Sequence, residues 1–537
     1  MGLSGIAKKD LLLPDLLEQA VSQRPDAPML RWMDGPPVSF AEVMARASSV
    51  ACGLAELGVR QEDTVLFMLP NGLEIIIAWL AATLLGAVEV PVNIHDRGSF
   101  LAHVIKDSRA SVMICDSSYL GYLAAVAPAC EGLRTIVTTG QGEPAPAGPG
   151  CNQVSFASLE ASDGHFSRPV LRAGDLMAVL YTSGTTGPAK GIMISYGQAA
   201  MNAGNYFNVL EVSEQDSFYI CMPLFHSNAQ IIQVMPALMA GTVASVWPQF
   251  DAVRWLDQVR SVGATITNTL GIMCEAIYAQ PVRPDDQSNP VRLLQTIPAP
   301  PAIVRQFEKR FALKCVDGYG LTDVGVISYR RPADPVVPGS SGRPLDEFEV
   351  IIGDPDTDEA LPAGEVGEIM IRPRRSFGMM SGYWRNAEAT VRASRNLWFH
   401  TGDAGYLDQA GLLYFHDRLK DIIRVRGENV SSAQVEAVFL DDRRIAECAA
   451  VAAPAASGDD DVHVCLVLAP GERLEPAELI RMCTGKMPYF AVPRYITFLD
   501  GLPKTPTGKI LKRQLRDSAA VTQAWDRRAA GVSIGRD

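Results

Sequence analysis

Several things are missing from this sequence, and each absence closes off a class of function. Histidine is scarce, with seven in 537 residues. The ten cysteines are scattered from Cys52 to Cys483 without a Cys-x-x-Cys pair or a Cys/His ligand pattern, which argues against structural zinc and a disulfide framework. A reducing, cytoplasmic setting fits that usage. Basic charge is not in excess: 48 Lys and Arg face 60 Asp and Glu, for a net charge of −12. A global nucleic-acid footprint is therefore not expected, and any anionic cofactor must find local basic clusters. No leader is legible, because Asp10, Asp15 and Glu18 interrupt the opening leucines. Ile6 stands where a myristoylation motif needs Ser or Thr. The longest apolar run, Ile75 to Val88, is shorter than the roughly 20 residues of a bilayer span. It reads as a buried core helix. What remains is a long chain, 47% hydrophobic and 20% charged, with material for several domains and sizeable cores.

The most distinctive stretch runs from Tyr181 to Gly191, Tyr-Thr-Ser-Gly-Thr-Thr-Gly-Pro-Ala-Lys-Gly. The apolar run Leu176 to Leu180 precedes it and reads as a buried strand. Gly184, Gly187 and Gly191 lack side chains, so backbone N–H groups can close on an anion. Thr182, Ser183, Thr185 and Thr186 add short hydroxyls, and Lys190 adds a mobile positive charge. This is a phosphate-gripping composition. It is not a Walker A loop, because no Gly-Lys-Ser/Thr ends it and no helix-forming sequence follows directly. By composition alone, a surface loop between two strands is the alternative.

Around that stretch the chain alternates. Ser39 and Glu42 look like the start of a helix that runs to Leu57 and stops at Gly58. Asp63 to Leu69 and Val88 to Val92 read as strands flanking the apolar helix. Such β-α-β alternation implies a parallel sheet with helices on its faces. The Pro- and Gly-rich segment from Gly140 to Gly150 reads as a loop. Later, Met222-Pro223-Leu224-Phe225-His226 ends an apolar strand, and Thr265 to Leu270 reads as another. Asp317-Gly318-Tyr319-Gly320-Leu321-Thr322-Asp323 offers an aromatic ring between glycines, then a hydroxyl and a carboxylate suited to Mg²⁺. From Pro335 onward, short strands such as Phe348 to Ile351 and Gly-rich turns suggest a small β-subdomain. Thr401-Gly402-Asp403 lies in that region. The charged stretch His416 to Asn429 has the form of a linker ahead of a new domain. Near the end, Leu502 to Ile510 carries Lys509 after Gly508.

Taken together and in order, these segments resemble the adenylate-forming superfamily of acyl-CoA synthetases, aryl-CoA ligases, luciferases and adenylation domains. The resemblance covers nearly the whole chain. The Phe-His-Ser-Asn-Ala-Gln and Gly-Glu-Asn-Val-Ser-Ser segments look most like its crotonobetaine/carnitine-CoA ligase-like members. The resemblance implies an α/β fold with a large N-terminal domain, 1–419, of two βα-layered sheets plus a small β-subdomain. Its subdomains would run roughly 1–165, 166–334 and 335–419. A mobile α+β lid, 420–537, would turn about Lys420.

The resemblance also implies roles. Thr182, Ser183, Gly184, Thr185, Thr186, Gly187 and Lys190 would grip ATP phosphates. Gly318, Tyr319 and Gly320 would flank adenine, Thr322 would meet the α-phosphate, and Asp323 would bind Mg²⁺. Asp403 and Arg418 would hold the ribose, and His226 would border the acyl pocket and CoA channel. Arg424, Gly427, Glu428 and Asn429 would face the pantetheine after the lid turns, and Lys509 would serve adenylation. Three departures stand out: Ala229 replaces a usual glycine, Asp323 a usual glutamate, and Thr296-Ile297-Pro298-Ala299-Pro300 a usual Gly-rich loop.

The implied activity is ATP-dependent ligation of a small carboxylic acid to CoA, through an acyl-adenylate with release of pyrophosphate and then AMP. Transfer to a carrier-protein pantetheine and a non-catalytic nucleotide-binding role remain as alternatives; no carrier domain follows within this sequence. Both a monomer and a homodimer are compatible with the sequence.

Overall fold

The computed structural model describes residues 12–140, 151–182, 189–421, 423–425, 428–454, 460–483, 486–487, 489–504, 508–517 and 524–534. Two seven-stranded sheets form its larger part. The first has the spatial order Asn152–Ser155, Thr135–Thr139, Val112–Asp116, Thr64–Met68, Val88–Pro91, Leu176–Thr182, Lys190–Ser195. Its strands are parallel except the last, which pairs antiparallel with Leu176–Thr182. Thr64–Met68 is buried along its whole length, as a central parallel strand covered on both faces must be. The expected core helix is Leu73–Leu85, buried from Ile75 to its end, and Gly86 closes it in the left-handed conformation at φ 67°. The helix Phe40–Glu56 begins with a full capping box: Glu42 N–H donates to Ser39 Oγ at 3.3 Å and Ser39 N–H to the Glu42 carboxylate at 2.8 Å.

The second sheet has the order Lys314–Val316, Leu293–Thr296, Ile266–Thr269, Phe218–Ile220, Ala244–Val246, Pro28–Trp32, Pro37–Ser39. It too is parallel except for the last strand. The sheets therefore interleave along the chain. Strands 28–39 join the second sheet, and strands 176–195 join the first, so residue 165 marks no boundary between sheets. One hydrophobic core runs through both. A buried polar tie also links them: Gln230 Nε2 donates to Glu89 at 2.7 Å, and complete burial pushes the Glu89 carboxyl up to about 8.

The chain then builds two small antiparallel sheets, Gly318–Leu321 with Gly325–Tyr329 and Arg343–Pro344, and Phe348–Gly353 with Gly367–Pro373, Phe399–Leu407 and Leu413–Arg418. Beyond the hairpin Ile423–Val425 and Glu428–Val430 lies a further sheet of Ile445–Pro454, Asp460–Leu468, Tyr495–Phe498 and Trp525–Asp526. That C-terminal part has its own core, including Phe439, Val464, Leu479 and Ile496. The architecture is the α/β fold with two large sheets, a β-rich part and a smaller C-terminal domain that the sequence implied. Among the described residues, no helix is long and apolar enough to cross a membrane.

Ligands of open parallel sheets gather outside the carboxyl ends of the strands. Here the strand Leu176–Thr182 leads into the Gly/Thr-rich loop, Phe218–Ile220 leads to His226, and Lys314–Val316 leads to Asp317 through Asp323. Both sheets thus deliver their chemistry-bearing segments from strand ends.

Candidate active site

The strands Leu176–Thr182 and Lys190–Ser195 pair in register up to Thr182 opposite Lys190, which brings both ends of the intervening loop together. Ser183, Gly184, Thr185, Thr186 and Gly187 lie outside the described residues. The helix Gly98–Ser108 braces the loop's two bases. The Asp107 carboxylate accepts from Tyr181 Oη at 2.7 Å, and the Ala189 carbonyl accepts from His103 Nε2 at 2.8 Å. A Cβ on Gly191 would sit 2.6 Å from Val179 and 3.0 Å from Trp384, so only glycine permits this packing.

Lys190 Nζ lies 4.7 Å from the centroid of the Tyr383 ring, and Tyr383 Oη donates to Asp323 Oδ1 at 2.7 Å. Gln198 Nε2 donates to the carbonyls of Thr322 and Asp323 at 3.2 and 3.1 Å, fixing that turn. Burial raises the Asp323 pKa, against the pull of the Tyr383 hydrogen bond and the charges of Lys190 and Arg418. Among the described residues no three His, Cys, Asp or Glu cluster as a metal cage. One oxygen of the Asp323 carboxylate is engaged by Tyr383. That donor set suits Mg²⁺ held jointly by one side chain, water and substrate phosphates.

Two expectations arise here. Lys190→Ala should raise the KM for ATP about ten- to hundredfold, the worth of one charge-assisted contact, while melting as the parent does. Unchanged ATP kinetics would remove Lys190 from phosphate binding. Asp323→Ala should shift the magnesium titration of pyrophosphate exchange to higher concentration, and Asp323→Glu should retain substantial activity. An ordinary titration in Asp323→Ala would leave that residue a turn former.

Tyr319 is 6% exposed. Its hydroxyl donates to Asp403 Oδ2 at 2.7 Å, and Arg418 Nε meets Asp403 Oδ1 at 2.7 Å. The Phe415 ring lies nearly parallel to Tyr319, centroids 6.0 Å apart. The sequence suggested that Gly318 and Gly320 leave the Tyr319 ring free. The structure gives them a different duty: a Cβ on Gly320 would stand 2.4 Å from the Gly325 carbonyl oxygen, so glycine lets the neighbouring strand approach. Asp317 accepts from the N–H groups of Ala299 and Gly318 at 3.0 and 2.8 Å and joins the 298–300 loop to this strand. Its burial pushes its carboxyl up to about 7.

His226 packs beside Phe225, centroids 4.6 Å apart, and burial pushes the imidazole down to about 4, leaving it neutral near pH 7. Ala229, where the resemblance expects glycine, is buried in the short helix Ser227–Ala229, which runs into the π-helical segment Gln230–Val234.

Lys509 comes from the C-terminal part but lies within electrostatic reach of the same group. Its pKa is lowered, first by desolvation and then by the like charge of Arg418, with Asp403 and Asp421 pulling the other way. The backbone at Lys420 forms a short 3₁₀ turn, Leu419–Asp421. Gly427 lies outside the described residues, as do the side chains of Lys420, Arg424, Glu428 and Asn429.

Residues 17–384 match the family model of the AMP-binding enzyme, and residues 434–509 match the AMP-binding enzyme C-terminal domain. The chain belongs to the AMP-binding enzyme family. Among curated relatives, a crotonobetaine/carnitine–CoA ligase of Salmonella typhi is 31% identical over 490 residues, covering 89% of this chain and 93% of that protein. Among solved structures, the anthranilate CoA ligase AuaEII in complex with anthranoyl-AMP superposes with TM-score 0.84 at 25% identity, covering 97% of this chain and 100% of that one. The o-succinylbenzoate CoA synthetase of Bacillus subtilis with its acyl-adenylate gives TM-score 0.82 at 25% identity, covering 95% and 99%.

In this member of the AMP-binding enzymes, sequence reasoning missed several residues that shape the site. Tyr383 is one of them: its bond to Asp323 joins residues 60 apart. His103, Asp107 and Gln198 gave no signal, because nothing local distinguishes them from an ordinary amphipathic helix. Trp384 Nε1 donates to the Asp107 carbonyl at 3.0 Å, a contact spanning 277 residues.

Proposed function

We propose that this chain joins a small carboxylic acid to CoA with ATP, in two successive reactions at one site. In the first, a carboxylate oxygen attacks the α-phosphorus, the bond to pyrophosphate breaks, and an acyl-adenylate forms. In the second, the CoA sulfur attacks the acyl carbon, the bond to AMP breaks, and the thiol proton leaves to solvent. The observation that carries this reading is the convergence of Lys190, Asp323, Asp403, Arg418 and Lys509, contributed by both parts of the chain.

The first step brings two anions together, so charge compensation is the main task of the protein. Lys190 neutralises phosphate oxygens at the end of the loop. Asp403 and Arg418 hold the ribose, with Tyr319 fixing the Asp403 carboxylate. Thr322 contacts the α-phosphate. Asp323, oriented by Tyr383, would hold Mg²⁺, which supplies charge neutralisation on the phosphates when bound. A B. subtilis o-succinylbenzoate synthetase of this fold is known with ATP and magnesium, which supports that assignment. Lys509 bridges the acyl carboxylate and the phosphate. Neutral His226 forms part of the wall where acyl group and thiol meet. For the second step the C-terminal domain, from about residue 420, turns about Lys420, and the loop of Arg424, Gly427, Glu428 and Asn429 takes the place of Lys509 beside the pantetheine.

A screen of fatty, aromatic, dicarboxylic and betaine acids tests the reading, with pyrophosphate exchange and thioester formation followed separately. Exchange with at least one acid, followed by thioester with free CoA, is the expected result. Thioester only on a holo carrier protein would replace CoA as acceptor. Absence of exchange with every acid would leave a nucleotide-binding protein.

A further inference from the structure

We infer that the acyl end of this site takes a short, uncharged acid bearing a hydroxyl or carboxamide at its far end, a reading that rests on the ligase assignment above. The observation is a line of amide side chains where a core would normally be apolar. Tyr206 Oη donates to Asn268 Oδ1 at 2.6 Å. Asn268 Nδ2 donates to Asn228 Oδ1 at 3.2 Å, and Gln233 Nε2 donates to the same oxygen at 3.0 Å. Tyr206, Gln233 and Asn268 are at most 1% exposed, whereas Asn228 is half-buried and stands two residues past His226. Asn228 is therefore the open end of the network, on the side of the acyl group. Gln233 Oε1 and Asn205 Nδ2 are buried without a hydrogen-bond partner among the described residues.

Such groups are costly to bury unless something pairs with them, so an apolar packing would be the default here. Asn268 sits one residue from the carboxyl end of its parallel strand, where ligands of such sheets gather. The helix Tyr196–Val209 gives the span. Gln198 near its start holds the Thr322–Asp323 turn, and Tyr206 lies eight residues further, about 12 Å along the axis. That axial offset bounds the room between the turn and the amides, and a long fatty chain overruns it.

The chemistry of the network also selects charge. It consists of neutral amides and one phenol, and Arg292 and Asp216, the charged groups whose fields reach Tyr206, are paired with each other at 2.7 Å. The buried carboxyl of Glu89 is joined to Gln230. Asn228, with its oxygen already accepting two bonds, has its Nδ2 hydrogens to offer an uncharged oxygen.

Pyrophosphate exchange with five acids of similar length tests the inference: pentanoate, 4-hydroxybutanoate, succinamate, succinate and 4-(trimethylammonio)butanoate. The expected result is a kcat/KM for 4-hydroxybutanoate or succinamate at least tenfold above the other three. A site built on hydrogen bonds rejects the analogue that cannot make them. Asn268→Leu should then lower the preferred polar acid at least tenfold and leave pentanoate equal or better, with the KM for ATP unchanged. Asn228→Ala, at the half-buried end and least demanding on the fold, should shift the preference in the same direction. A wild-type preference for pentanoate, or for either charged acid, overturns the inference. So does an equal loss across all acids in Asn228→Ala. Exchange with none of the five overturns it too, while the wider acid screen decides separately whether the chain is a ligase.

Discussion

Lys509→Ala should lose pyrophosphate exchange by at least about a hundredfold while converting a supplied acyl-adenylate and CoA to thioester at a near-normal rate. The first half follows from charge. Carboxylate and triphosphate repel as they are pressed together, and in the proposed scheme the ammonium of Lys509 would attract both. Removing a preorganised donor of this kind typically costs ~3 kcal/mol in the transition state, about a hundredfold in rate. Lys509 is well placed for that duty, because the fields of Asp403 and Arg418 both act on it. Desolvation and Arg418 lower its pKa, so the site holds the charge at some expense, and incoming anions relieve it. The second half follows from the two-step scheme, in which the C-terminal domain has turned Lys509 away before the thiol attacks. Both half-reactions are measured on one purified variant. Intact exchange would take Lys509 out of the mechanism; loss of both steps would refute the alternation of conformations.

The fold was legible where the sequence carried strong local signals. The capping pair Ser39 and Glu42, the apolar run that begins at Ile75 and the buried strand Thr64–Met68 needed no long-range information. What the sequence did not reveal was which sheet each strand joins. Pro28–Trp32 pairs with Ala244–Val246 across more than 200 residues, and no pattern within either strand encodes that partner. The site divides in the same way. Segments with unusual composition, such as Asp317 to Asp323, advertised themselves. Residues that act by holding those segments did not. His103 and Asp107 lie on a helix whose exposed and buried faces alternate in the common way, and their importance comes from touching Ala189 and Tyr181. The amides Asn228, Gln233 and Asn268 are equally ordinary in sequence; only their mutual contacts in a buried place make them notable.

Lys420→Pro should separate the two steps in the opposite sense, retaining acyl-adenylate formation and losing most CoA transfer. The proposed hinge at residue 420 is bounded by contacts that cross it. On the near side, Asp417 accepts from Ser432 N–H at 2.8 Å, from Ser432 Oγ at 2.6 Å and from Ala433 N–H at 3.3 Å, and so caps the helix Ser432–Leu440 on the far side. Asp421 pairs with Arg516 in the helix Lys512–Asp517 that follows the Lys509 loop. Lys512 Nζ reaches Ser432 Oγ at 2.5 Å and Glu436 at 2.8 Å, which ties that helix to the segment following Lys509. These contacts tie Asp421, the helix Lys512–Asp517 and the helix Ser432–Leu440 together. Turning the domain about residue 420 must exchange the Asp417 bonds for others, while the Lys512–Glu436 pair travels with the domain. Proline locks φ near −65°, within the range of the 3₁₀ turn already formed by Leu419–Asp421. Its φ is therefore compatible with the present turn, and fixing φ at residue 420 should hinder rotation to a second conformation. Exchange should stay within several-fold of the parent, and thioester formation from isolated adenylate should fall at least tenfold, since the turn sets access to the second state. An equal fall in both half-reactions, with a lowered melting temperature, would mean that proline has damaged the fold. An equal fall at an unchanged melting temperature would move the hinge elsewhere in the chain.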